Sequence, residues 1–230
     1  MVILHIETST SVCSVAASEN GVLLSQKINM EGMNHARLLS VFIAEVMEQL
    51  AAMSKKIDAV ALSRGPGSYT GIRIGTATAK GLCFGYDVPL IAIDTLQIIA
   101  TSALSKIENL QPTDLLCPMI DARRMEVYDE IFSTNLSSVE AVKADIIDEN
   151  SFSGQLDKHK IFFFGDGSEK CKTVITHPNA VFVEKVFPEA QFMIALAEAK
   201  YAAQKFEDIA YFDPLYLKEF QATTPKKKLF

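Results

Sequence analysis

Residues 63–81 read SRGPGSYTGIRIGTATAKG, a glycine-rich stretch between an apolar strand-like run and a helix-like run. A turn of this kind presents successive backbone amides ahead of a helix N-terminus, a positive concavity suited to phosphate. Neither standard phosphate signature is complete. A Walker loop needs a lysine and a Ser or Thr after its last glycine, whereas Gly71 is followed by Ile72 and Arg73. A dinucleotide loop needs G-x-G-x-x-G, and Gly65, Gly67 and Gly71 are one residue too widely spaced. Ser68, Tyr69 and Thr70 could still add hydroxyls, and Arg64 and Arg73 charge. The alternative is that the glycines only permit a tight turn and close packing.

The other candidate for chemistry is Glu7, which ends the strand-like VILHIE and opens ETST, with Thr8 and Ser9 behind it. It is the best local candidate for a catalytic or metal-directed carboxylate. Asp121 and Glu126 form a second carboxylate pair, of the kind that is usually solvated in a turn. His5, His35, His159 and His177 are scattered, with no H-E-x-x-H and no G-x-S-x-G elbow. Cys13, Cys83, Cys117 and Cys171 are far apart and show no C-x-x-C, so buried reduced thiols are expected, and no metal site.

Two helix-like segments must position these residues. After the glycine turn, Gly71, Gly75, Ala79 and Cys83 recur every fourth residue and place very small side chains along one face. Helical glycines cost about 1 kcal/mol each against alanine, so a closely packed neighbour, in this chain or another, is expected to offset them. The segment 34–53 carries Leu38, Leu39, Phe42, Ile43, Val46, Met47, Leu50 and Met53, with Asn34 at the N-cap position. That arc is wider than the ~100° needed to cover a sheet. It implies either a second contact beyond the sheet or a helix buried within its own domain.

The remaining elements alternate. Strand patterns at 2–7, 12–18 and 22–28, the second pair joined by the turn signal ENG, predict an antiparallel meander. Helix 34–53, strand 58–63, the glycine turn and its helix, strand 89–93 and helix 95–106 complete a β-β-β-α-β-α-β-α unit. A second unit begins with strands at 115–120 and 125–132 around the turn DARR, and continues with KIFFFGDGSEK (160–170), a strand running into a glycine turn, a strand at 179–183 and a helix at 188–206. Residues 133–158 predict a weak strand and a short helix. The polar ENLQPT marks a break, giving domains 1–107 and 108–230, the latter ending in the basic tail 225–230 with Lys226, Lys227 and Lys228.

Composition sets the remaining bounds. Nearly half the residues are hydrophobic, enough for a sizeable core in one large or two small domains. The net charge of −6 argues against direct nucleic-acid binding by the chain as a whole. No uncharged run approaches the ~20 residues of a membrane span, and no secretory leader pattern opens the sequence, so a cytoplasmic protein is expected.

A β-β-β-α-β-α-β-α unit used twice, with mixed sheets, resembles the two-domain actin-like, Hsp70-like and sugar-kinase (ribonuclease H-like) α/β fold. In that superfamily the first hairpin holds nucleotide phosphates, usually with D-x-G-[ST]; here it reads ETST, without the glycine. The letters IETSTSVCSVA, HARLL, SRGPGSYTGIRIGTATAKGL, DARRMEVY, GDG and PLYLK together resemble the TsaB (YeaZ) family from end to end, with Met125 where glycine is common and Glu7 where aspartate is common. The resemblance implies a non-catalytic dimerisation subunit of bacterial tRNA threonylcarbamoyladenosine synthesis. It implies pairing with a metal-bearing TsaD-type catalytic subunit that modifies adenosine 37 of tRNAs reading codons that begin with A. A TsaE-type ATPase docks on that pair, and tRNA is held through the complex. It implies no required cofactor, with ATP or ADP contact possible in the complex, and a possible homodimer when alone. It assigns the partner interface to N-terminal helices, here Leu39, Phe42, Ile43, Val46, Leu50, Gly71, Gly75 and Ala79. Residues facing nucleotide or phosphate would be Glu7, Thr8, Ser9, Arg64, Gly65, Gly67, Ser68 and Thr70. Two alternatives remain: a nucleotide-binding regulatory module, and an ATP-using enzyme or peptidase of the same superfamily.

Overall fold

The computed structural model describes residues 1–32 and 34–218; the basic tail lies outside the described residues. The first sheet has the order β3-β2-β1-β4-β5. Strands β1 (Val2–Glu7), β2 (Cys13–Glu19) and β3 (Val22–Asn29) form the expected antiparallel meander. Strands β4 (Ala59–Ser63) and β5 (Leu90–Ile93) then add in parallel beside β1. The β2–β3 turn holds Asn20 at φ 47° and Gly21 at φ 80°, the left-handed pair a two-residue hairpin requires. Every residue of β1 is buried, because this central strand is covered on both faces. His5 is among them; it bonds Ser18 Oγ at 2.8 Å, and burial lowers its pKa to about 3, leaving it neutral.

The second sheet repeats the order as β8-β7-β6-β9-β10. Strands β6 (Leu115–Asp121), β7 (Glu126–Ser133) and β8 (Ser138–Ile146) are antiparallel, and β9 (Ile161–Phe164) and β10 (Ala180–Phe182) run parallel beside β6. The weak strand and short helix expected within 133–158 are β8 and α4 (Ser153–Leu156). The second copy is abbreviated: α4 has four residues, and a 3-10 turn, Glu169–Cys171, stands between β9 and β10.

On the first sheet, α1 (His35–Ala52) and α2 (Tyr69–Tyr86) share one face. Leu39, Ile43, Val46 and Leu50 of α1 fall at helical spacing and close over Leu4, Val15 and Val60. Asn34 occupies the N-cap position but makes no capping bond; its Nδ2 donates to the Glu31 carbonyl instead.

The other face is covered from the opposite half of the chain. The segment 188–206 is not one helix but a 3-10 turn, Ala190–Met193, followed by α5 (Ile194–Ala202). Met193 and Ala197 pack on Ile3, Ala61, Ile91 and Ile93, so a helix from the second half covers the first sheet. Conversely, α3 (Thr95–Leu104) lays Leu96, Ile99 and Ala103 against Leu116, Phe132 and Phe164 of the second sheet. The chain changes sheets near residue 107, but the apolar layers are exchanged across that point.

Candidate functional site: a cleft over the glycine turn

A cleft of about 470 Å³ lies between the halves. Its walls are the first turn (9–11), the glycine turn (66–70), the β6–β7 hairpin (120–123) with Tyr128 and Asp166, and the C-terminal stretch 215–218. Both hairpins face it because the two sheets share one topology and meet at corresponding ends.

The glycines serve close approach within the chain. A β-carbon on Gly67 would lie 2.2 Å from the Ser9 carbonyl oxygen, and one on Gly71 would lie 2.1 Å from that of Thr8. Gly65, at φ 111°, would put one 2.6 Å from the Leu215 oxygen. Amides that a phosphate would need are already engaged. Ser68 N donates to the Ser9 carbonyl at 2.6 Å, and Ser68 accepts Gly71 N on its Oγ and Ile72 N on its carbonyl.

Of the residues expected to face phosphate, Ser9, Gly67, Ser68 and Thr70 line the cleft; Glu7, Thr8, Arg64 and Gly65 do not. Glu7 is fully buried beneath the turn. Its Oε1 accepts from Ser9 N (2.6 Å), Ser9 Oγ (2.5 Å) and Ser63 Oγ (3.0 Å). Burial raises its pKa to about 7 against the opposing pull of those hydrogen bonds. It braces the first turn and does not reach solvent. Thr8 Oγ1 donates to the Gly71 carbonyl at 2.8 Å. Arg64 turns away, its Nε donating to Asp94 at 2.6 Å beside the start of α3.

The expected interface set is also relocated. Gly75 meets Thr8 Oγ1 at 2.3 Å from an added β-carbon, and Leu39, Ile43, Val46, Leu50, Gly71 and Ala79 are all buried within this chain. Only Phe42 remains partly open. The small-residue stripe therefore packs on the chain's own first turn. Another set of small residues, Ala77, Gly81 and Gly85, faces outward beside Phe84, which is 86% exposed. A β-carbon on Gly81 or Gly85 would meet nothing within 4 Å.

Five features in and around the cleft were not singled out as site residues from the sequence. Tyr216 packs against Tyr69 with the rings tilted by 45° (centroids 5.3 Å), and Arg73 lies 4.0 Å over the Tyr69 ring and donates to the Tyr216 hydroxyl. Lys218 pairs with Glu126 and lies over Tyr128. Lys170 pairs with Asp121 and donates to the Glu126 carbonyl at 2.7 Å, so those carboxylates are neutralised cross-links. Burial raises the pKa of Asp166, whose Oδ1 accepts from Asp121 N. Finally, Arg123 and Arg124 sit at φ 73° and 53° in the β6–β7 turn. Left-handed backbone costs such residues roughly 1–2 kcal/mol each. The signals were DARR in a turn and PLYLK near the end, read as family letters and not as cleft walls. Among the described residues no three His, Cys, Asp or Glu side chains converge as a metal site would require, and no helix is long and apolar enough to cross a membrane.

A duplicated sheet of this order, with both first hairpins facing an interdomain cleft, defines the actin-like, ribonuclease H-like class. The family model described as "TsaD: tRNA N6-adenosine threonylcarbamoyltransferase" matches residues 29–224. The chain is 29% identical to "tRNA threonylcarbamoyladenosine biosynthesis protein TsaB" of Escherichia coli, over 95% of each chain. It is 27% identical to the protein of that name in Haemophilus influenzae, over 95% of this chain and 94% of the relative. A solved structure described as "YeaZ from Pseudomonas aeruginosa" superposes with a TM-score of 0.74 at 25% identity, covering 94% of this chain and 99% of that one. Another, "an uncharacterized protein with similarity to peptidase YEAZ" from the same organism, reaches 0.80 at the same identity and coverage. The chain belongs to the TsaB (YeaZ) family, within the wider group that the TsaD model describes.

Proposed function

We propose that this protein is a partner-binding subunit without chemistry of its own in a cytoplasmic assembly. It pairs with a TsaD-type catalytic subunit for threonylcarbamoylation of adenosine 37 in tRNAs reading codons that begin with A. The names of its relatives support the pathway. The outer face of α2 carries the scaffold role. Gly81 and Gly85 cost about 1 kcal/mol each in a helix, and none of the described residues meets them. They flank the protruding Phe84, and Val41 of α1 is also 46% exposed. A facing helix could approach the glycines closely and bury the phenyl ring. The same face would pair two copies when the partner is absent, and a TsaE-type ATPase would join the heterodimer.

Titration calorimetry against the TsaD-type subunit tests this. A buried aromatic anchor is typically worth at least 2 kcal/mol, so Phe84→Ala should weaken binding about 30-fold or more while circular dichroism stays unchanged. Unchanged affinity would remove the interface. Steady ATP or peptide turnover by the isolated chain, lost on changing Glu7, would make it an enzyme instead.

The cleft itself favours a second reading, a nucleotide-binding regulatory module. Titration with ADP and ATP separates the two.

A further inference from the structure

Arg123 and Arg124 stand side by side at the tip of a three-residue turn, both at positive φ, where Asn or Gly would sit without strain. The turn is held from below: Arg123 N donates to Asp121 Oδ1 at 3.0 Å, Ala122 N to the Glu126 carbonyl at 3.0 Å, and Lys170 ties Asp121 to Glu126. Of the neighbouring carboxylates, Asp121 is taken by Lys170 and Glu126 by Lys218, and Asp166 accepts from Asp121 N. Neither arginine guanidinium has a partner among the described residues. Two forked cations are thus presented, at a conformational cost, in a protein of net charge −6, Arg123 on the cleft wall and Arg124 next to it in the turn. Across the cleft, Tyr216 is 39% exposed and is backed by Tyr69 and Arg73. Between them, Ser11 and Thr70 add hydroxyls.

Paired guanidiniums suit phosphate oxygens, and an aromatic face beside them suits an unstacked base. We propose that the cleft mouth binds a single-stranded stretch of RNA, with Arg123 and Arg124 holding backbone phosphates and Tyr216 offering the stacking face. The choice of RNA among polyanions rests on the pathway reading above. The arginine geometry does not.

The test uses the full chain, a short fluorescein-labelled single-stranded RNA and a salt series. Each phosphate contact to a single strand contributes a slope of about 0.7 in log affinity against log salt. The double variant R123N/R124G should bind more weakly, with a slope shallower by about 1.4. It should also melt a few degrees higher, because the turn is relieved. Tyr216→Ala should lose roughly 5- to 150-fold, the worth of one stacked base. The double variant should bind the TsaD-type partner as the wild type does, and Phe84→Ala should keep RNA binding, so failure here and failure of the scaffold reading are distinguishable. The proposal is overturned if the wild type shows no RNA binding at low salt, or if the double variant matches it in affinity and slope. It is equally overturned if ATP or a polyglutamate peptide displaces the RNA and loses its own binding in the double variant. The arginines would then serve a free nucleotide or an acidic protein segment.

Discussion

Gly75 of α2 lies against Thr8 of the first turn so closely that a β-carbon there would come within 2.3 Å of Thr8 Oγ1. That hydroxyl is itself fixed by its bond to the Gly71 carbonyl. The turn and the helix are therefore one packed unit, and of the two glycine faces of α2 one is packed and the other open.

Substitutions on those faces should separate cleanly. Gly75→Leu should destabilise the folded chain by about 1–3 kcal/mol through overpacking. Gly81→Ala should be neutral or stabilise by up to about 1 kcal/mol, since nothing lies within 4 Å. Urea denaturation of the two variants reads both signs. A stable Gly75→Leu would contradict the packing described here.

Stability should fall as pH rises. Burial lifts the pKa of Glu7 and Asp129 to about 7, and neither Asp129 oxygen has a hydrogen-bond partner. The native state keeps protons that the unfolded chain releases near pH 4. The stabilisation from each is fully present below that value and is lost as pH rises through about 7. Denaturation midpoints at about pH 5 and about pH 8 should show the decline. Asp129→Asn should flatten it and be the more stable protein at the alkaline end.

All four thiols should be silent in the native state. Cys13, Cys83, Cys117 and Cys171 are fully buried, and burial pushes each thiol pKa upward, to about 11 for Cys13, Cys83 and Cys171. A thiol-reactive dye should label them only as fast as the protein unfolds. Prompt labelling of any one would place it at the surface.

The C-terminal stretch should be anchored by its apolar plug. Phe212 is buried in the first core, and Leu215 N donates to the Arg64 carbonyl at 2.7 Å. Phe212→Ala should cost about 3 kcal/mol. Lys218→Ala should cost no more than about 1 kcal/mol, because its pair with Glu126 is partly solvated. Thermal melts of both variants decide the order.

Local patterns in the chain carried most of the fold. Alternation and ENG specify the meander, and Leu39, Ile43, Val46 and Leu50 at helical spacing specify the inner face of α1. What they could not carry is which layer an element joins. α5 reads as a helix but gives no sign that it covers the first sheet. The same holds for α2, where glycines fall on both faces and only tertiary contacts show that Gly71 and Gly75 look inward. The cleft was half legible. Ser9, Gly67, Ser68 and Thr70 are there, but Glu7 ends up beneath it, because a carboxylate one residue before a turn can point back under the sheet edge. Arg123 and Arg124 carry no sequence mark of their backbone strain, which only dihedral angles reveal.

The exchange of α3 and α5 between sheets has a consequence for synthesis on the ribosome. When residue 107 has been made, Ile3, Ala61, Ile91 and Ile93 have no cover on one face, because Met193 and Ala197 do not yet exist. At about 5–20 residues per second, that apolar face waits roughly 5–20 s for its lid. The nascent first half is thus an exposed greasy surface during translation, and slowing elongation between the halves should raise the fraction of chains that are lost to aggregates.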